Sequence, residues 1–148
     1  MSVDPGPEQP SLAQLLRDVH LALRSAFDEA LLPHGVTLRQ VGVLGALHRS
    51  PGLSNADLAR RFFMTPQSMV ELLSGMESAG LVTRRPHPAG GRVLQAELTP
   101  AGMAKLLASH SVMADAEARL LAGFRPHERR QLRELLQRVL ESLRPASR

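Results

Sequence analysis

The sequence contains a pair of predicted short helices joined by a turn of about three residues, and this arrangement leaves few possible folds. The first helix is predicted over 55–62 and the second over 66–79. Thr65 supplies an N-cap for the second helix, Pro66 occupies its favoured first position, and Gly80 ends it. The inward-facing positions expected in the two helices are Leu58, Ala59, Phe62, Met69, Leu72, Leu73 and Met76. Two short helices joined in this way form a helix-turn-helix.

A β-hairpin is predicted immediately after the second helix. Its strands are the β-prone runs 81–85 and 93–98, and the intervening segment 86–92 is rich in proline and glycine. A helix-turn-helix followed at once by a hairpin is the arrangement of a winged helix. In such a domain one helix enters the DNA major groove, while the loop between the strands reaches the neighbouring backbone or minor groove.

Further helices are predicted on both sides of this central region. One begins near Ser11, at capping-box spacing to a glutamine, and ends near 33–35. A shorter helix capped by Thr37 follows it, and Pro100 and Pro126 open two more toward the C-terminus. The predicted fold is therefore mainly α with one β-hairpin, a winged helix-turn-helix flanked by N- and C-terminal helices.

A single domain is expected, because 148 residues are enough for one well-buried core and too few for two ordinary domains. Residues 1–10 contain three prolines and few apolar side chains, so they are predicted to be a disordered arm. The domain then spans 11–148, with 37–99 as the DNA-binding region and 11–36 and 100–143 as dimerisation helices. A dimer is expected because the apolar stripes on the first and last helices exceed what a winged helix can cover.

Positive charge is concentrated in the middle of the chain. Residues 39–92 hold seven arginines against three acidic residues, whereas residues 1–38 hold two arginines against five acidic residues. A polyanion such as nucleic acid should therefore meet the middle of the chain first. Scattered, solvated charge is the alternative interpretation of the same arginines.

Several functional classes are disfavoured by what the sequence lacks. With no cysteine, it has no thiolate for a zinc site, a catalytic nucleophile or a peroxide sensor, and its six histidines show no close metal-ligand spacing. There is no phosphate-binding glycine loop, Gly-x-Ser-x-Gly motif or identifiable acid–base pair. Neither a signal peptide nor a run of roughly 20 apolar residues is recognisable. We expect a cytoplasmic protein that is not an enzyme, uses no cofactor or metal, and does not bind a membrane.

Four short motifs between residues 54 and 102 resemble those of one family, the MarR family of bacterial transcription regulators. They are Leu58-Ala59, Gly80-Leu81-Val82, the wing residue Arg92, and Leu98-Thr99-Pro100-Ala101-Gly102. Residues 11–143 can all be placed on the family pattern. The resemblance implies a ligand-responsive repressor: a homodimer with interlocked terminal helices that presents two winged helices to a pseudo-palindromic operator in double-stranded DNA. It also implies a small aromatic or lipophilic effector.

The sequence departs from the family pattern at two places. Gly91 precedes Arg92 where family members commonly have an aspartate, which predicts a looser wing. The recognition helix 66–79 has no lysine or arginine and carries Glu71 and Glu77, which predicts modest DNA affinity. A winged-helix protein-interaction module that has lost operator binding is the alternative that these acidic residues leave open.

Nine residues are predicted to contact DNA. Those at the start of the recognition helix can reach base edges, where glutamine can pair with adenine and glutamate with cytosine N4. Neighbouring strand residues point to opposite faces, so only one of Arg84 and Arg85 can readily face the duplex. For all nine, helix capping or solvation is the alternative. The candidates are Thr65, Gln67, Ser68, Glu71, Arg60, Arg61, Arg84, Arg85 and Arg92.

An effector pocket is implied by the family resemblance. In MarR-like proteins the first helix, the start of the second and the middle of the fifth border this pocket. Leu21 is apolar but lies off the stripe of its helix, which also allows it to pack in the dimer interface instead. His110 lies in the apolar seam of the fifth helix, which favours a hydrogen-bonded core or pocket histidine over a metal ligand. The candidate pocket residues are Arg17, Leu21, Arg24, Leu38, His110 and Met113, with an arginine pairing the carboxylate of an aromatic acid.

Overall fold

The computed structural model describes residues 9–143, so most of the predicted N-terminal arm and the last five residues of the predicted domain lie outside the described part. This part contains six α-helices, a short 3₁₀ turn and a two-stranded antiparallel sheet. The elements are α1 (Leu12–Leu31), the 3₁₀ turn (Leu32–His34), α2 (Leu38–Arg49), α3 (Asn55–Arg61), α4 (Pro66–Ser78), β1 (Val82–Pro86), β2 (Leu94–Leu98), α5 (Pro100–Leu120) and α6 (Pro126–Leu143). The predicted class, mainly α with one hairpin, is confirmed.

Side-chain caps fix where the first helices begin. The Ser11 hydroxyl accepts from the Gln14 N–H at 3.2 Å, and the Gln14 side chain accepts from the Ser11 N–H at 2.7 Å. Thr37 and Gln40 form the same reciprocal pair at the start of α2. Each pair satisfies donors that a helix otherwise leaves without partners, which is why these starts could be predicted from the sequence.

The two helices of the helix-turn-helix each end one residue earlier than predicted, at Arg61 and at Ser78. Their inward positions are largely as expected. Leu58, Ala59, Met69, Leu73 and Met76 are buried, while Phe62 and Leu72 are half-buried and pack against the core.

The hairpin pairs Val82 with Leu98 at one end and Pro86 with Leu94 at the other. A single bridge between Ser54 and Gln95 ties the start of α3 to β2. The sheet is thereby fastened to the helix-turn-helix at the end of β2 that adjoins the wing loop.

Gly102, the last residue of the Leu98-Thr99-Pro100-Ala101-Gly102 motif, is required for steric reasons. A Cβ at Gly102 would lie 2.0 Å from the carbonyl oxygen of Leu81, so only glycine allows α5 to approach the start of the hairpin. The Thr99 hydroxyl donates to the Gly80 carbonyl at 2.6 Å and accepts from the Gly102 N–H at 2.9 Å. These contacts join the end of α4, the wing and the start of α5.

The chain divides into two compact units, one up to Met113 and one from Ala114. The first unit holds the winged helix and the buried core, to which α1 contributes Leu31, α2 contributes Leu44 and α5 contributes Leu106. The second unit contains α6, in which no residue is buried. Within residues 9–143, none of the helices has the length and apolarity needed to cross a membrane.

The predicted apolar stripes on the terminal helices are present, and they face solvent in the single chain. On α1 the exposed residues include Leu12, Leu15 and Val19. On α6 they are Leu135, Leu136, Leu140 and Leu143. Apolar surface of this extent favours a second copy as its cover, since burial gains roughly 25 cal/mol per Å².

Candidate nucleic-acid interface

The recognition helix α4 begins with an internal hydrogen-bond pair. The Thr65 hydroxyl accepts from the Ser68 N–H at 3.1 Å and donates to Ser68 Oγ at 2.9 Å. Thr65 is thus occupied as the N-cap. Ser68 uses its oxygen as an acceptor in this pair and keeps its own hydroxyl hydrogen for an acceptor outside the helix.

Gln67 and Glu71 lie one turn apart on the exposed side of α4. The Gln67 amide nitrogen donates to the Glu71 carboxylate at 3.1 Å. This bond fixes the orientation of the amide while leaving its oxygen and its second N–H available. One donor and one acceptor are what an adenine edge requires in the major groove.

The second acidic residue of the recognition helix is neutralised within the chain. Arg84 of β1 donates from Nε to the Glu77 carboxylate at 2.8 Å and from its terminal nitrogen at 2.6 Å, and its backbone N–H reaches the same carboxylate at 3.2 Å. The side-chain hydrogen bond from Arg84 lowers the pKa of Glu77 below its ordinary value. The pair clamps the first strand of the wing to α4, so Arg84 serves as a positioning residue.

Two further arginines are held in exposed ion pairs. Arg60 pairs with Asp57 one turn earlier on α3, and Arg85 pairs with Glu97 across the hairpin at 3.2 Å. Both guanidinium groups remain mostly exposed. Surface pairs of this kind contribute at most about 1 kcal/mol, so a phosphate can replace the carboxylate.

Arg61 and Arg92 are exposed and have no ion-pair partner within residues 9–143. Arg92 follows Gly90 and Gly91, whose φ angles of +82° and +72° form the wing tip. The tip is closed by His87, whose N–H donates to Val93 and whose ring accepts from Ala89. Arg61 and Arg92 can therefore bind phosphate without first breaking an ion pair seen in the described chain.

Asp57 stabilises the start of α3. Its carboxylate accepts from the Ser54 hydroxyl at 2.6 Å and from the Ser54 N–H at 3.0 Å, and Arg60 lies beside it. The hydrogen bonds from Ser54, followed by the smaller effect of Arg60, lower the pKa of Asp57. Asn55 adds a tie between helices by donating to the Pro66 carbonyl at 3.3 Å.

The candidate effector residues are only partly brought together. Arg24 lies 3.6 Å from Asp28, and Asp28 in turn accepts from the Leu38 N–H at 2.6 Å. Leu38 and Met113 are half-buried against the same core. Arg17 pairs with its neighbour Asp18, and Leu21 is exposed.

The core interpretation of His110 is wrong for the single chain, because its side chain is exposed. The buried polar residue of α5 is its neighbour Ser109, whose hydroxyl donates to the Lys105 carbonyl at 2.8 Å. Adjacent helix positions lie about 100° apart, so only one of the two can face the core.

Sequence reasoning missed two features of this unit. One is a cavity of about 310 Å³ between the end of α2, β2 and the start of α5, lined by Leu47, His48, Pro51, Ala96, Glu97, Leu98 and Met103. The other is the turn residue Phe63, which is 92% exposed. No motif marks the cavity, since its walls come from distant segments. The run Phe62-Phe63 does contain a signal, because one of two adjacent aromatic residues must face away from the core.

Comparison with known proteins supports the assignment. The MarR family model matches residues 34–93. The HTH-type transcriptional repressor Rv2887 of Mycobacterium tuberculosis is 38% identical over 128 residues, which cover 86% of this chain and 92% of the relative. Its structure with salicylic acid gives a TM-score of 0.72 at 37% identity and covers 89% of this chain and 98% of the other. Its structure with DNA gives a TM-score of 0.73 at 36% identity, with 88% and 98% covered. The chain belongs to the MarR family.

Proposed function

We propose that the protein is a sequence-specific DNA-binding transcription regulator, a ligand-responsive repressor that acts as a homodimer in the cytoplasm. One observation carries this proposal: the start of α4 presents unsatisfied polar groups of Gln67 and Ser68 on a winged helix whose Glu77 is already neutralised by Arg84. Of the two acidic residues that suggested lost DNA binding, Glu77 is paired with Arg84 and Glu71 orients Gln67. The complex of Rv2887 with DNA supports the same reading.

Base recognition and phosphate binding are assigned to different parts of the region 37–99. Gln67 and Ser68 contact base edges in the major groove, and Glu71 holds the Gln67 amide in place. Arg61 and Arg92 bind phosphate directly, whereas Arg60 and Arg85 bind it after releasing their carboxylate partners. Thr65 and Arg84 support this surface from within the fold.

Dimerisation is assigned to 11–36 and 100–143. Support comes from the exposed apolar residues of α1 and, separately, of α6. A two-fold dimer presents the same surface twice, which matches a pseudo-palindromic operator with half-sites about one helical turn apart.

The effector is assigned to the class of small aromatic acids, bound among Arg17, Leu21, Arg24, Leu38, His110 and Met113. The salicylic acid complex of Rv2887 supports the ligand class. Arg24 is suited to bind a carboxylate, because its contact to Asp28 is long, at 3.6 Å, and both groups retain solvent access.

The proposal is tested by an electrophoretic shift assay of the protein with the DNA upstream of its own gene, over a series of salt concentrations. The expected result is a discrete complex whose affinity falls steeply as salt rises. An interaction module would give no discrete complex at any salt concentration. Salicylate added to the preformed complex should release the DNA.

A further inference from the structure

Phe63 occupies an unfavourable position for its residue type. It lies in the turn between α3 and α4 with a φ of +52°, and it is the only non-glycine residue with positive φ in the described part of the chain. Its side chain is 92% exposed. Glycine or asparagine would adopt this backbone more easily, and neither would place an aromatic ring in water.

The fold of this unit does not account for Phe63. The turn is closed by backbone hydrogen bonds, from the Phe63 N–H to Arg60 at 3.3 Å and from the Met64 N–H to Ala59 at 2.9 Å, which any residue could make. The neighbouring Phe62 supplies the apolar anchor, because its ring packs against Gly42 so closely that a Cβ there would lie 2.9 Å from it. The Phe63 ring therefore contributes almost no packing within the chain.

The position of Phe63 places it beside the DNA-reading groups. It precedes Thr65, the N-cap of the recognition helix, by two residues, so their Cα atoms are at most about 7 Å apart. The N-terminal end of a recognition helix enters the major groove. Arg60 and Arg61 lie three and two residues before Phe63 in the chain, and this positive charge favours a polyanion over an uncharged protein surface as the partner of the ring.

We propose that Phe63 is a specificity-determining residue that contacts the C5-methyl group of a thymine in the operator. This inference rests on the proposed DNA-binding function. The thymine methyl is the one apolar group exposed on a base edge in the major groove, and aromatic side chains can pack on it. The Phe63 ring is thus exposed in the free protein and becomes buried only in the complex with DNA, which explains an aromatic residue at this positive φ.

The test combines protein variants with modified operators. An operator is first obtained by selection from random duplexes, and each of its thymines is then replaced in turn by deoxyuridine, which lacks the methyl group. For the wild type, one position in each half-site should lose about fourfold in affinity, as expected for one buried methyl. Phe63→Gly should bind the unmodified operator at least about tenfold more weakly and should not distinguish thymine from deoxyuridine at that position.

Two further variants separate a DNA contact from a role in the turn. Phe63→Asn also suits a positive φ but lacks an apolar ring, so it should behave like Phe63→Gly. Leucine suits a positive φ less well than glycine or asparagine but has an apolar side chain. Phe63→Leu should therefore retain part of the preference for thymine over deoxyuridine. Thermal unfolding should show Phe63→Gly to be at least as stable as the wild type.

Three outcomes would overturn the inference while leaving the proposed function intact. One is a wild type that binds the operator but shows no deoxyuridine-sensitive position. Another is a Phe63→Gly variant with unchanged affinity and an unchanged deoxyuridine penalty. The third is a change of sedimentation coefficient in Phe63→Gly with DNA affinity unaffected, which would assign the ring to a contact between copies. Failure of the wild type to select any operator would instead contradict the proposed function itself.

Discussion

Gln67 presents a carboxamide at the start of α4, whereas Arg92 presents a guanidinium at the wing tip. The carboxamide has a direction and can distinguish one base from another, and the guanidinium can meet a phosphate beside any base. The structure adds a second distinction, since Arg84 is fixed to Glu77 while Arg92 has no ion pair in the described chain. Residues of the same type therefore differ in function according to their partners.

Substitution should separate base reading from phosphate binding. Gln67→Ala should relax base preference at one or two positions, at a cost of about 1 to 3 kcal/mol on the preferred sequence. Arg92→Ala should weaken binding to all sequences and reduce the salt slope by about one unit per wing. Fluorescence anisotropy with matched and mismatched duplexes measures both. If both variants lost the same affinity on all sequences, the separation of base recognition from phosphate binding would be contradicted.

The Glu77–Arg84 pair should make stability depend on pH. The pKa of Glu77 is lower in the folded chain than its ordinary value of 4.5, so the pair stabilises the fold fully above that value. Its contribution is lost as the pH falls below 4.5 and through the lowered pKa of the folded state. Denaturant unfolding from neutral to acidic pH should therefore show a shallower decline for Glu77→Gln than for the wild type. Glu71→Gln, on the same helix, is the control, because it removes a carboxylate while leaving the Glu77–Arg84 pair and the pH dependence caused by that pair in place.

At the scale of elements, the predictable features are those set by neighbours in sequence. The Ser11 and Thr37 caps, Pro66 and Gly80 each act within one helical turn, and they placed the starts of α1, α2 and α4 and the end of α4 to within about a residue. The end of α1 was predicted less well, because it lies at Leu31 and not near 33–35. The strands were predicted with similar accuracy from β-prone runs and the glycines between them.

The features that could not be predicted depend on contacts between separate elements. Arg84 meets Glu77 across the turn between α4 and β1, and nothing in the spacing of seven residues specifies that pairing. Phe63 lies in the turn between α3 and α4 with a positive φ, which its residue type argues against. The proposed effector residues come from separate helices, and of them only Leu38 and Met113 pack against the core of the single chain.

The junction between wing and α5 offers a test at this scale. Gly102→Ala should destabilise the fold by about 1 to 3 kcal/mol, because the added Cβ would overlap the Leu81 carbonyl. Gly75→Ala is the matched control, because an added Cβ at this helical position would point into open space within the described part of the chain. It should gain about 0.5 to 1 kcal/mol from helix propensity. Urea unfolding measures whether each variant loses or gains unfolding free energy. A Gly102→Ala variant as stable as the wild type would contradict the close approach of Gly102 to the Leu81 carbonyl.

At the scale of the whole molecule, the exposed apolar faces of α1 and α6 require a partner. Leu136 and Val139 lie on the apolar stripe of α6, and aspartate at both positions would place unpaired charge in that face. Sedimentation velocity at micromolar concentration should show a dimer for the wild type and a monomer for Leu136→Asp with Val139→Asp. Gln137→Asp adds one such charge on the polar side of the helix and should remain dimeric. A monomeric wild type would exclude this interface.

Selection from random duplexes tests whether two copies of this winged helix read one pseudo-palindromic operator. We expect enrichment of an inverted repeat whose half-sites are centred about 34 Å apart, one turn of the double helix. Selection with Arg92→Ala should enrich the same repeat but with lower affinity, because Arg92 is proposed to bind phosphate and not base edges. Recovery of single, unrepeated sites or of no preferred sequence would contradict the account.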